Sequence, residues 1–301
     1  MASEANNFKS GFAAIVGRPN VGKSTLVNAF TGEKAAIVSN KPQTTRQNLV
    51  AIDNGDNYQI VFVDTPGMHT PRTKLGEFMN ASAGRAIGDV DVCLLVVEAG
   101  REIYDLERRI MKNADENKIP IILVINKCDE ADKDSILPQI AAVSAEHEFA
   151  AIVPVSALKN DGIDELRREV LSHFDECPPF YPTDTYADRT VRDMSAEIIR
   201  EKILRLLDKE VPHGTAVEIE SMKEGADLTA IKAVIYCEKS SHKPIIIGKK
   251  GETIKRIGSY ARADIEKLLD TKVFLELWVK VREDWRNRSS ALKELGYTKQ
   301  D

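Results

Sequence analysis

The sequence predicts a doubly wound α/β domain with a mostly parallel sheet, followed by a smaller α+β domain. Three observations predict it. Gly17-Arg18-Pro19-Asn20-Val21-Gly22-Lys23-Ser24 matches the phosphate-loop pattern G-x-x-x-x-G-K-[ST] without a mismatch, between an apolar β-leaning run and a helical pattern. Three later apolar runs, 91–99, 120–125 and 150–155, read as strands buried on both faces. Beyond a proline-rich stretch at 177–184, the periodicity reads helix, strand, strand, then a Gly-Lys-Lys-Gly turn leading into a helix and a last strand. The 301 residues suit about two domains of roughly 150 residues each. The expected division is 1–177, a semi-rigid linker over 178–193, and 194–301.

Composition narrows the class. The four cysteines are scattered with no C-x-x-C spacing, which points away from a zinc site or a disulfide framework. Residues 1–10 are polar, and no run approaches the 18 or so apolar residues of a membrane span, so a cytoplasmic protein is expected. The net charge of −5 is unevenly spread: 1–177 holds 19 Lys+Arg against 26 Asp+Glu, net −7, and 178–301 holds 23 against 21, net +2. Within the latter, 239–262 carries seven Lys+Arg against the single acid Glu252, a basic island suited to a polyanion.

In chain order, 11–16 reads as a strand and 25–30 as a helix. The loop between them would aim backbone N–H groups at one anion, with Lys23 reaching the β- and γ-phosphates and Ser24 ligating Mg²⁺; Thr25 follows directly. Residues 32–48 form a long polar connector containing Thr44 and Thr45, followed by β-leaning runs at 48–53 and 58–63 about an Asn54-Gly55 turn. The second run ends in Asp64-Thr65-Pro66-Gly67, where Asp64 would act on the same Mg²⁺ through water and Gly67 would let its N–H approach the γ-phosphate. A helix is expected over 75–87.

The run at 120–125 ends in Asn126-Lys127-Cys128-Asp129, and the Asp129 carboxylate suits the N1–H and amine of guanine. The run at 150–155 ends in Ser156-Ala157, whose backbone would meet the guanine carbonyl. These motifs predict GTP and GDP as ligands.

In the second half, 194–209 reads as a helix and 216–220 and 228–238 as strands. Ile247-Gly248-Lys249-Lys250-Gly251 then matches the G-x-x-G loop of a single-strand clamp, with Lys255 on the helix that follows. A strand is expected over 273–281, with Trp278 in the core; Trp285 and Tyr297 have no assigned place.

The motif order resembles the translation-factor class of GTPases, and the whole chain resembles the Era family of bacterial GTPases. That resemblance implies a P-loop NTPase fold and a type II KH domain. It implies binding to the 3′ end of small-subunit ribosomal RNA and a role in maturation of the 30S subunit. It also implies peripheral association with the inner face of the cell membrane, although no amphipathic segment shows it. A monomer is expected. In related GTPases the threonine just before the Arg senses the γ-phosphate, which favours Thr45 over Thr44 as a metal ligand and catalytic residue beside Lys23. Met68 stands where Ras-like enzymes place a water-orienting Gln. Relatives with Asn at the position of Asn20 use a bound K⁺, so the resemblance implies K⁺ and a catalytic role for Asn20. The alternative is a constitutive RNA-binding chaperone in which GTP is mainly structural. A role in tRNA modification or membrane traffic fits less well, because neither calls for a single-strand clamp.

Overall fold

The structure is a computed structural model, and it describes residues 8–32, 35–37, 41, 49–64, 73–75, 77, 79, 90–225 and 227–297. Two compact units emerge: 1–36, 45–70 and 79–188 form the first, and 37–44, 71–78 and 189–301 form the second.

The first unit is built on a six-stranded sheet in the order β2-β3-β1-β4-β5-β6. Its strands are β1 (Lys9–Val16), β2 (Leu49–Gly55), β3 (Tyr58–Asp64), β4 (Val92–Glu98), β5 (Ile121–Asn126) and β6 (Ala151–Pro154). Only β2 pairs antiparallel, closing a hairpin with β3, and every other pair is parallel. Every residue of β5 is buried, as expected for a parallel strand covered on both faces. One face packs α1 (Lys23–Thr31) and α4 (Ile163–Ser172) through Leu26, Phe30, Leu166 and Val170. The opposite face packs α2 (Asp105–Glu116) and α3 (Lys133–Glu146) through Ile110, Met111 and Val143. This is the doubly wound arrangement, with the phosphate loop, Asp64 and the Asn126 and Ser156 motifs all at C-terminal strand ends.

The stretch expected as a linker is pinned over most of its length. Buried Gln59 accepts N–H bonds from Phe180 and Tyr181 at 2.8 and 2.9 Å and donates to the Tyr181 carbonyl at 3.0 Å. Asn54 donates to the Thr185 carbonyl, Ile52 N–H to Tyr186 and Asp188 N–H to Val50. Residues 178–188 therefore belong to the first unit, and the prolines stiffen a strap rather than a free spacer.

The second unit has a three-stranded sheet in the order β7-β8-β9, with β7 (Thr215–Lys223) antiparallel to β8 (Leu228–Cys237) and β9 (Lys272–Val281) parallel to β8. Helices α5 (Val191–Leu206) and α7 (Glu252–Leu269) cover one face, where Ile199, Ile203, Ile257, Ala261 and Ile265 meet Ile231, Ile235, Val273 and Val279. Between β8 and α7 lies the short α6 (Lys243–Ile247), and α8 (Ser289–Glu294) follows β9. Trp285 is completely buried, donates to the Gly214 carbonyl at 2.9 Å and stacks on Tyr297.

Trp278 corrects a sequence expectation: it is 55% exposed, not core. Among the described residues, helices cover only one face of this sheet, so Val273, Leu275, Leu277 and Val279 point inward and the alternate residues do not. Of the helix expected over 75–87, only residues 75, 77 and 79 are described, all helical.

Candidate functional site

The phosphate loop leaves β1 at Gly17, whose φ of 144° suits glycine. A Cβ there would lie 2.4 Å from the Val96 carbonyl oxygen of β4, so only glycine lets the two strands sit this close. Asn20 is exposed and left-handed, with φ of 69°. Val21 is buried in the core, which anchors the loop's midpoint. Gly22 has φ of 99°, and a Cβ on it would stand 2.2 Å from Nδ2 of Asn126. Helix α1 begins at Lys23 with no acidic residue in its first turn, so no carboxylate there competes with an anion for the positive end of its dipole.

Lys23 is buried, and its ammonium donates to the Gly17 and Arg18 carbonyls at 3.0 and 2.8 Å. The cation is thus held within the loop. Ser24 and Thr25, the next two residues of α1, are both half-buried. Arg18 is clamped from outside: its Nε donates to Oε1 of fully buried Glu107 at 2.6 Å, and its guanidinium lies 4.0 Å from the centre of the Tyr104 ring. Pro19 is half-buried between Arg18 and Asn20.

At the base-reading end, Asn126 is buried at the tip of β5. Its Nδ2 donates to the Val21 carbonyl at 2.9 Å, and its Oδ1 accepts the Ala157 N–H at 3.1 Å. One amide therefore joins the phosphate loop to the Ser156-Ala157 turn. Lys127 has φ of 65° and pairs with Glu98 at 3.5 Å. Asp129 is exposed and receives the Ser156 hydroxyl on Oδ1 at 2.7 Å, which orients the carboxylate and leaves its second oxygen to a ligand. Asp64 ends β3 beside Ile15 of β1, which places its backbone near the phosphate loop. Thr44, Thr45, Thr65, Pro66, Gly67 and Met68 lie outside the described residues.

The second candidate site is the turn between α6 and α7. Gly248 has φ of 77°, and a Cβ would meet Thr253 Oγ1 at 2.2 Å, so the Thr253 side chain closes the turn against bare backbone. Gly251 is left-handed and so is Lys250, with φ of 52°. Lys249, Lys250 and Lys255 are exposed and Ile247 is half-buried, while Ile246 is fully buried and seats the turn on the core. Bare backbone flanked by lysines suits nucleic-acid phosphates.

Glu107, Tyr104 and the double role of Asn126 carried no signal that a motif reader could use. The one available hint was Glu107 three residues after Tyr104, where its carboxylate accepts the Tyr104 N–H at 3.2 Å at the start of α2.

Comparison with known proteins extends this geometry. Residues 12–127 match the model of the 50S ribosome-binding GTPase family, and residues 210–286 match that of the KH domain. The GTPase Era of Ruminiclostridium cellulolyticum is 51% identical over 97% of this chain and 98% of its own. The GTPase Era of Clostridium botulinum is likewise 51% identical, over 97% of this chain and 99% of its own. A crystal structure of a variant of Aquifex aeolicus Era bound to GDP and AlF4⁻ superposes with a TM-score of 0.93 at 40% identity, covering 97% of this chain and all of that one. A structure of Era in complex with MgGDPNP and nucleotides 1506–1542 of 16S ribosomal RNA also gives 0.93 at 40% identity, over 97% of this chain and 99% of that one.

Proposed function

The chain belongs to the Era family of GTPases, and from that premise we propose a GTP-hydrolysing switch that binds the 3′ end of small-subunit ribosomal RNA through its KH unit and assists maturation of the 30S subunit. One observation carries the reading: the same chain holds a phosphate loop braced by Asn126 and a lysine-flanked G-x-x-G turn seated on a KH core. Residues 17–25 cradle the phosphates, Lys23 meets the β- and γ-oxygens, and Asn126, Lys127, Asp129, Ser156 and Ala157 read guanine. Ile247, Gly248, Lys249, Lys250, Gly251 and Lys255 hold RNA.

Ser24 at the start of α1, Asp64 at the end of β3 and Thr45 would hold Mg²⁺. When bound, Mg²⁺ neutralises charge on the β- and γ-phosphate oxygens. With no Gln after the D-x-P-G glycine to orient water, Asn20, exposed and left-handed, would help hold a K⁺ ion that supports hydrolysis by another route. Hydrolysis is then faster in KCl than in NaCl, and equal rates remove K⁺ from the mechanism.

The protein acts as a monomer in the cytoplasm, with peripheral association at the inner face of the membrane. Among the described residues no helix is long and apolar enough to cross a membrane. The decisive experiment measures RNA affinity with GDPNP and with GDP. A switch binds more tightly with GDPNP, by the five- to 150-fold typical of about 1–3 kcal/mol of coupling. Equal affinities favour the constitutive chaperone.

A further inference from the structure

Two aromatic rings of the second unit stand in water. Phe274 is 58% and Trp278 55% exposed, four residues apart on β9. Strand alternation puts both on the sheet face turned away from α5 and α7. Their odd-numbered neighbours face the helices, with Leu277 3.4 Å from where a Cβ on Gly258 of α7 would stand. The Trp278 indole N–H donates to Glu276 Oε1 at 3.0 Å, so the exposed ring is tethered.

The charges on this face are largely matched. Glu276 is met by Lys232 at 3.4 Å and Glu220 by Lys280 at 2.7 Å, while exposed Lys272 adds a cation at the Phe274 end. Glu218, on β7, accepts the Tyr236 hydroxyl at 2.9 Å. The acids that remain therefore lie towards β7, away from the outer edge of β9, which is the last strand of its sheet.

Position links these rings to the clamp. From the G-x-x-G turn, α7 runs 18 residues and reverses at left-handed Asp270 into β9. The start of α7, with the clamp, thus lies towards the Val281 end of β9, nearer Trp278 than Phe274. Four strand residues span about 13 Å, enough for each ring to take a separate base.

We infer that the outward face of β9 is a second subsite for single-stranded RNA, in which bases leaving the clamp pass over the free edge of β9 and stack on Trp278 and then Phe274. Exposed aromatics on a sheet are a recurrent platform for unstacked bases, and such stacking tolerates any sequence. The subsite rests on the clamp reading and extends it by about two nucleotides.

The test uses the full chain with GDPNP and 16S nucleotides 1506–1542, the RNA bound by the solved relative, together with truncations down to about four nucleotides. The chain has two tryptophans, and Trp285 is completely buried, so quenching of emission by RNA reports Trp278. The expected result is quenching by the long RNA and weaker binding of that RNA by Trp278→Ala and by Phe274→Ala, about five- to 150-fold each. Trp278→Phe restores most of the loss, and the four-nucleotide RNA ignores all three changes. Far-UV dichroism and melting of each variant establish that it is folded, and Trp278→Phe preserves the test if the alanine variant is not. Unchanged emission at saturating RNA, or wild-type affinity in a folded Trp278→Ala, overturns the subsite. So does a change in sedimentation mass on Trp278→Ala at unchanged RNA affinity, which would make the face a contact between copies. Gly248→Asp separates the two readings: if it binds every RNA as the wild type does, the clamp itself is wrong, whereas its loss beside an unaffected Trp278→Ala sinks the stacking subsite alone.

Discussion

A buried amide that donates to the Val21 carbonyl and accepts from the Ala157 N–H has no conservative replacement. Asn126→Ala leaves both groups without their partner, at about 1–3 kcal/mol for each buried group left unmade. The expected outcome is a lower melting temperature and weaker GDP binding, read by calorimetry; unchanged GDP affinity would show that the brace is not needed for binding. Asp129→Asn tests base selection differently. It exchanges an acceptor for a donor at an exposed carboxylate, so preference should move from guanosine towards xanthosine nucleotides in competition binding. Asp129, Lys23 and the two loop glycines were legible in the sequence because each motif demands its residue type locally. The anchors of Arg18 and the partners of Asn126 were not legible, because Glu107 lies 89 residues from Arg18 and Val21 lies 105 from Asn126.

At the scale of elements, the parallel strands were legible as continuous apolar runs, and their ends fell within a residue or two of those expected. Helices α2, α3 and α4 drew no prediction, since the chemistry-bearing motifs lie at strand ends and the helices carry none. Strand β9 misled for a physical reason. Val-Phe-Leu-Glu-Leu-Trp-Val is apolar on both faces, which reads as buried on both, yet among the described residues helices cover one face only. The strap is the other element with a measurable consequence. Gln59→Leu keeps the volume but strips the Phe180 and Tyr181 N–H groups of their acceptor. The expected cost is about 1–3 kcal/mol in urea unfolding of the first unit, and faster proteolysis near residue 180. Equal stability would show that water replaces the amide.

At the scale of the whole molecule, Lys41 and Lys74 both fall in the second unit. Within that unit the Lys41 ammonium donates to the Leu207 carbonyl and to Asp208, and Lys74 N–H donates to Asn287 Oδ1 at 3.3 Å. In the proposed switch, rearrangement of the segment that carries Lys41 would be a route from γ-phosphate to RNA capture. Lys41→Ala is expected to reduce the ratio of RNA affinities in GDPNP and GDP while leaving GDP binding intact; an unchanged ratio in a filter-binding assay would exclude this contact as part of the route.

The pairing of 178–188 with β2 also decides where this chain tolerates being cut. Strand β2 is the outermost of its sheet, and beyond it, among the described residues, the strap answers its main chain through the Ala51–Ala187 bridge. A fragment ended at 177 bares that row of donors and acceptors as a template for strand pairing between molecules, whereas one ended at 188 keeps it covered. Light scattering of the two fragments should show self-association in the shorter alone.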